Sequence, residues 1–236
     1  MKVSVCMATY NGIKYLKEQL DSILQQLSPS DEIIISDDGS YDGTIDLITS
    51  YKDNRIKLFY NEKKHGVITN FENAISKASG DFIFLCDQDD IWEINKVKTC
   101  VNQLHNYTLV LHDAVLIDKN GKIINDSYFK LRKSKIGYWN NLWKNSYIGC
   151  CMAFRKNLIP YLLPFPQKIE MHDRWIGLQG ELHGKTQIIP QKLSRYRIHG
   201  ENVSNSSKKS TNNLYKMFII RWWMFYYTIS WFIKRR

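Results

Sequence analysis

Several things are missing from this chain of 236 residues. Its five cysteines contain no CxxC pair, so no structural zinc is expected. Cys6 and Cys86 fall inside apolar runs, where a free thiol acts as a small hydrophobe and suits a reducing compartment. No leader precedes the first apolar run at Val3, so a cytoplasmic chain without a signal peptide is expected. There is no internal repeat and no low-complexity tract. Acidic residues stop at Glu201, while Lys208, Lys209, Lys216, Arg221, Lys234, Arg235 and Arg236 follow it. The net charge of +10 therefore leaves 10 − 7 = +3 for everything before the tail. That small excess argues against nucleic acid as a partner, and a basic tail suits an anionic membrane surface.

What is present reads as one α/β domain. Forty-four per cent hydrophobic residues suffice for a sizeable core. Strand-like runs at 3–7, 32–36, 56–60, 81–86 and 108–112 alternate with helical patterns. Leu16, Leu20, Ile23, Leu24 and Leu27 form one helical stripe, and 42–51, 67–78 and 93–105 also read as helices. This order predicts a Rossmann-like, mostly parallel central sheet with helices on both faces. Residues 118–121, Asp-Lys-Asn-Gly, mark a hairpin turn. The polar, aromatic stretch 126–145 reads as a loop over the site, and 205–213 as a linker.

Three apolar runs end in polar motifs: Ala8-Thr9-Tyr10-Asn11-Gly12, Asp37-Asp38-Gly39-Ser40 and Asp87-Gln88-Asp89-Asp90. Ligands of open α/β sheets sit at the carboxyl ends of such strands. Asp87 and Asp89, two apart, point the same way in extended chain and suit a hard cation with open positions for phosphate oxygens. A solvated turn with Asp90 as helix cap is the plainer reading. Asp38 either forms a turn or accepts a hydrogen bond from a base; Tyr10 either covers a strand end or stacks on that base. Residues 148–155 read as an apolar strand opened by Gly149, which could let backbone approach a sugar closely. Before a helix reaching residue 182, Asp173 is either an N-cap or a general base, and Arg174 its structural partner or a phosphate contact. Arg195, Arg197 and His199 alternate on one strand face, two guanidiniums for a pyrophosphate and an imidazole for a transition metal.

The ordered set VSVCMATYNG, EIIISDDGSYDGT and GDFIFLCDQDDIW resembles the inverting family 2 glycosyltransferases of the GT-A fold, over 3–204. CDQDDIW, HDRW and YRIHGENVS look most like bacterial rhamnosyltransferases of polysaccharide synthesis. The resemblance implies transfer from a nucleoside-diphosphate sugar, dTDP- or UDP-linked, to a saccharide or lipid-linked acceptor. It implies Ala8, Thr9 and Tyr10 lining the nucleoside pocket, Asp38 on the base, Asp87 toward the ribose and Gly149 beside the donor sugar. Asp89 and His199 would hold Mn²⁺ or Mg²⁺, and Asp173 would be the catalytic base. The family often places an acid before that base; here His172 stands there, a candidate acceptor contact.

Other readings are a sugar-nucleotide pyrophosphorylase and a non-catalytic nucleotide-binding module. The first should open on a Gly-rich basic loop, which residues 8–14 do not supply. The aromatic tail 214–236 is nearly long enough to span a bilayer, but Arg221 interrupts it. Its wheel sets Phe218, Ile219, Trp222, Phe225, Tyr226, Ile229, Phe232 and Ile233 against Lys216, Arg221, Thr228, Ser230, Lys234 and Arg235. This predicts an amphipathic helix lying peripherally on the inner face of the membrane. The alternative is docking on the domain or on a second subunit of a homodimer.

Overall fold

The computed structural model describes residues 1–200 and 214–234. The proposed linker, together with Lys208, Lys209, Arg235, Arg236 and the side chain of Lys216, lies outside them. The first half alternates strands and helices: β1 (Val3–Thr9), α1 (Ile13–Leu24), β2 (Glu32–Asp37), α2 (Thr44–Ser50), β3 (Ile56–Tyr60), α3 (Val67–Lys77) and β4 (Phe82–Cys86). Then follow β5 (Ile91–Trp92), α4 (Lys96–Leu104), β6 (Leu109–Ile117), β7 (Ile123–Asn125), α5 (Tyr128–Arg132) and α6 (Tyr138–Trp143). The remainder is β8 (Met152–Arg155), α7 (Ile159–Leu162), α8 (His172–His183), β9 (Thr186–Arg197) and α9 (Leu214–Lys234).

One sheet runs β3-β2-β1-β4-β8-β6-β9-β5, with β7 on β6. Strands β3, β2, β1 and β4 pair in parallel, as does β6 with β9; β8 and β5 pair antiparallel with their neighbours. Alternation along each strand sorts its residues between two cores. Cys6, Ile34, Ile83 and Leu85 meet Phe71 and Ile75 of α3 and Trp175 of α8 on one face. Val5, Met7, Ile33, Ile35 and Phe84 meet Leu16, Leu20 and Ile23 of α1 on the other. Burial on both faces is why these strands read as unbroken apolar runs. Each fully buried Leu or Ile contributes about 1.5–3 kcal/mol, so the α1 stripe fixes that helix firmly.

The hairpin forms as expected, with Asp118 accepting from the amides of Asn120 and Lys122. Four expectations change. Stretch 126–145 carries α5 and α6, whose Tyr128, Asn141 and Leu142 are buried, so it is not a featureless loop. Asp113 holds it to β6, accepting from Ser127 Oγ at 2.5 Å and from the Phe129 amide at 2.9 Å. Residues 149–151 make a 3-10 turn, and the strand starts only at Met152. Helix α4 starts at Lys96 rather than 93, because Ile91 and Trp92 pair with Arg195 and Ser194. Asp90 is no helix cap: its Oδ1 accepts the Arg197 amide at 2.9 Å.

The tail docks on the domain. Met224 and Thr228 are fully buried, Tyr138 shares a hydrogen bond with Thr228, and Trp231 meets Trp175 edge-on. The expected split of the wheel is thus rotated, since Thr228 faces protein rather than solvent. Phe218, Trp222 and Tyr226 stay exposed. No helix among the described residues is long and apolar enough to cross a membrane.

Candidate active site

Strands β1, β2 and β4 end side by side, with Thr9 opposite Asp37 and Met7 opposite Cys86. Their following residues therefore meet on one rim. Asp37 organises the turn after β2, although only Asp38 stood out in the sequence. One Asp37 oxygen accepts the amides of Gly39 at 3.0 Å and Ser40 at 2.8 Å. The other accepts Thr9 Oγ1 at 2.7 Å and Ser40 Oγ at 2.6 Å. Gly39 has φ +88°, a left-handed turn that favours glycine. Asp38 is oriented by Asn61 Nδ2 and the Gly66 amide, both at 2.7 Å, and by His65. Gln88 clamps Tyr10 through both its amide and its carbonyl, at 2.8 and 2.9 Å. Tyr10 is half exposed, edge-on to the more exposed Tyr41 at 6.4 Å. Ala8 sits in β1 beneath this loop.

The acidic group lies at the end of β4. Asp89 and His199 are brought together, Oδ2 to Nε2 at 2.7 Å. The ring of Tyr15, which sequence reading passed over, packs against His199 at 5.1 Å and under the Arg197 guanidinium at 4.6 Å. Arg197 donates to the Asp89 carbonyl at 2.8 Å and pairs with Glu18, so it builds the loop. Arg195 points elsewhere: half exposed, it pairs with Glu93 at 2.7 Å. The strand is long enough that the two arginines serve different neighbours.

Asp87, Asp90 and Cys150 offer ligand atoms within 4.8 Å of one another. The Asp87 carboxyl is held well above the usual range by burial, then by Asp90, Asp89 and Asp173. Burial and Asp89 push Asp90 up to about 7. Such crowding of carboxylates is relieved by a cation. The carboxylate oxygens of Asp87 and Asp90 in that group suit a hard divalent cation, while Asp89 stands against His199 at its side. The Cys150 thiol, whose pKa is raised by the neighbouring Cys151 thiol and by burial, is a poor ligand for a hard ion.

Behind this group the fully buried Lys96 Nζ donates to the Cys150 carbonyl at 2.7 Å and to Ser194 at 2.9 Å, over the Trp92 ring. It ties the 149–151 turn to β9. Asp173, second residue of α8, is buried. Burial raises its carboxyl to about 7, against the Arg174 amide and charge and the Gly149 amide. Arg174 is structural, reaching Glu170 and the carbonyls of Asn141 and Leu142. His172 is no acceptor contact as it stands. Its ring is buried and stacked on Phe71 at 4.0 Å, and both nitrogens are buried without partners. A Cβ on Gly149 would lie 2.8 Å from His172 Nε2, so that position needs glycine.

Residues 4–162 match the glycosyl transferase family 2 domain. The chain is 29% identical over 214 residues to the Escherichia coli UDP-Glc:alpha-D-GlcNAc-diphosphoundecaprenol beta-1,3-glucosyltransferase WfgD, covering 88% of this chain and 81% of that protein. It is 28% identical to the putative teichuronic acid biosynthesis glycosyltransferase TuaG of Bacillus subtilis, covering 88% and 83%. Among solved structures, S. aureus TarS 1-349 in complex with UDP-GlcNAc matches with TM-score 0.69 at 20% identity. That match covers 95% of this chain but 66% of the TarS chain. Mannosyltransferase PcManGT from Pyrobaculum calidifontis, in complex with GDP-Man and Mn2+, matches with TM-score 0.64 at 15% identity, covering 97% and 73%. Both carry the same fold. The rim, the acidic loop and the matched domain agree, and this chain belongs to glycosyl transferase family 2.

Proposed function

We propose that the chain transfers a sugar, with inversion, from a nucleoside-diphosphate sugar to a lipid-linked saccharide in bacterial surface polysaccharide synthesis. The observation that carries this is Asp173: a buried carboxyl poised near neutral pH, beside the Gly149 turn and within electrostatic reach of Asp87. A general base works best with such a pKa. Asp173 takes the proton from the acceptor hydroxyl while that oxygen attacks the anomeric carbon. Tyr10 and Asp38 hold the base, Thr9 and Asp37 fix their loop, and Asp87 faces the ribose. Asp89 and His199, with Asp87 alongside, hold Mn²⁺ or Mg²⁺. When bound, such an ion offsets charge on the leaving diphosphate as a Lewis acid.

The UDP-Glc donor of WfgD and the UDP-GlcNAc held by TarS favour a UDP-linked donor over a dTDP-linked rhamnosyl donor. The diphosphoundecaprenol acceptor in the WfgD name favours a lipid-linked acceptor at the membrane's inner face, with the enzyme held there peripherally. Calorimetry of UDP with Mn²⁺ tests the metal assignment. Asp89→Ala should abolish metal-dependent binding, and unchanged affinity would refute Asp89 as the anchor.

A further inference from the structure

Helices α6 and α9 together display an aromatic surface that neither shows alone. Trp139 and Trp143 of α6 are about 70% exposed, at 69% and 70%. Phe218, Trp222 and Tyr226 of α9, four residues apart, are exposed at 63%, 56% and 51%. The two sets join through Phe225, whose ring meets Trp139 at 6.1 Å and Trp222 at 6.4 Å. They join again through Arg221, which donates to the Trp143 carbonyl at 2.9 Å and lies 4.3 Å over its ring. A soluble surface rarely gathers this much apolar area without a partner.

The partner is indicated by chemistry and charge. Trp and Tyr dominate, which are the residues of the water–lipid boundary rather than of a dry core. Between Ser127 and Ile169 the chain has no acidic residue, and none follows in α9. Lys130, Lys133, Lys135 and Lys144 are exposed in that interval. Lys144 Nζ donates to the Arg132 carbonyl at 3.0 Å, which sets the 132–133 corner next to Trp143. An anionic headgroup layer complements such a rim; a second, equally basic copy of the same face does not.

We propose that the α6–α9 surface is the membrane contact of this enzyme, with Trp139, Trp143 and Trp222 entering the headgroup layer of an anionic bilayer. The inference deepens the peripheral, lipid-linked reading above. It replaces a helix swinging on a linker with a rigid face. Arg174, next to Asp173, bonds the carbonyls of Asn141 and Leu142 in α6, so the face is tied to the proposed base. Docking would therefore set the height of the site above the lipid.

Sedimentation of the full chain with vesicles of phosphatidylglycerol and phosphatidylcholine, and of phosphatidylcholine alone, tests this. The wild type should pellet with the anionic vesicles, less so as salt rises, and weakly with the neutral ones. Trp139→Ser with Trp222→Ser should need roughly tenfold more anionic lipid or more, since each aromatic loses its buried area. Trp143→Ser with Phe218→Ser is a second variant, should the first melt early. Brominated lipid should quench tryptophan emission in the wild type and less in either variant. Unchanged pelleting in folded variants overturns the proposal. So does a lipid-independent dimer of the wild type that the same substitutions dissociate. Release of nucleoside diphosphate from a panel of nucleotide sugars, with a lipid-linked acceptor in the vesicles, is read in parallel: its absence in a wild type that still binds vesicles would refute the transferase reading and leave the surface standing.

Discussion

Asp173 carries the sharpest consequences of a single residue. Folded, it keeps its proton up to about pH 7; unfolded, an aspartate releases it near about 4. The folded state therefore binds the extra proton between those values. The sign follows: without metal, the stability this carboxyl contributes is fully present below about pH 4 and is lost as pH rises to about 7. Asp90 acts in the same direction. Asp173→Asn removes the buried charge and keeps an acceptor for the Arg174 amide. It should raise the stability in EDTA at about pH 8 by on the order of 1–4 kcal/mol, read as a higher melting temperature, and have little effect at about pH 4. Equal shifts at about pH 8 and about pH 4 would show that the carboxyl is not held up by burial. Asp173 was legible in the sequence because it opens a helix beside other motif residues. Its burial was not, since that depends on packing by the 149–151 turn and α6. His172 next to it misled for the same reason: nothing local reveals the Phe71 ring that covers it.

At the scale of elements, local signals were readable and long-range ones were not. The 118–121 hairpin is built by Asp118 on its own neighbours, so its residues announce it. Strands β1, β2 and β4 were readable because both faces are buried. The start of α4 was not: β5 is drawn off by β9, whose pairing residues lie about a hundred positions away. The 3-10 turn likewise depends on Lys96, 54 residues distant. Arg195 was placed with Arg197 by strict alternation, but Glu93 at the sheet edge takes its guanidinium. The β2-to-α2 loop rests on Asp37, which accepts four hydrogen bonds. Asp37→Ala should leave those donors unpaired and cost about 2–4 kcal/mol. Urea unfolding should show that loss, and calorimetry a weaker grip on UDP. A variant as stable as the wild type would mean the loop is held otherwise.

The whole molecule differs from a catalytic domain with a detachable tail. Helix α9 covers Trp175 and Tyr138 with Trp231, Met224 and Thr228. Truncation after Asn213 should therefore uncover core. Burying Met224 alone is worth about 1.5–3 kcal/mol, so the shortened chain should melt earlier and aggregate. A truncated protein as stable as the full chain would separate the tail from the fold. The sequence showed that the tail is amphipathic, because its aromatics recur at helical spacing. It could not show which face docks, since α6 supplies half of the answer. The central claim is that one chain joins a nucleotide-sugar rim, a cation site and the Asp173 base into a transferase. Release of nucleoside diphosphate from a panel of nucleotide sugars, with Mn²⁺ and a lipid-linked acceptor, measures it most directly. Wild type should turn over at least one donor, and Asp173→Asn should bind that donor equally but turn over roughly 10²-fold slower or worse. Turnover undiminished in Asp173→Asn, or absent from the wild type with every donor, would contradict it.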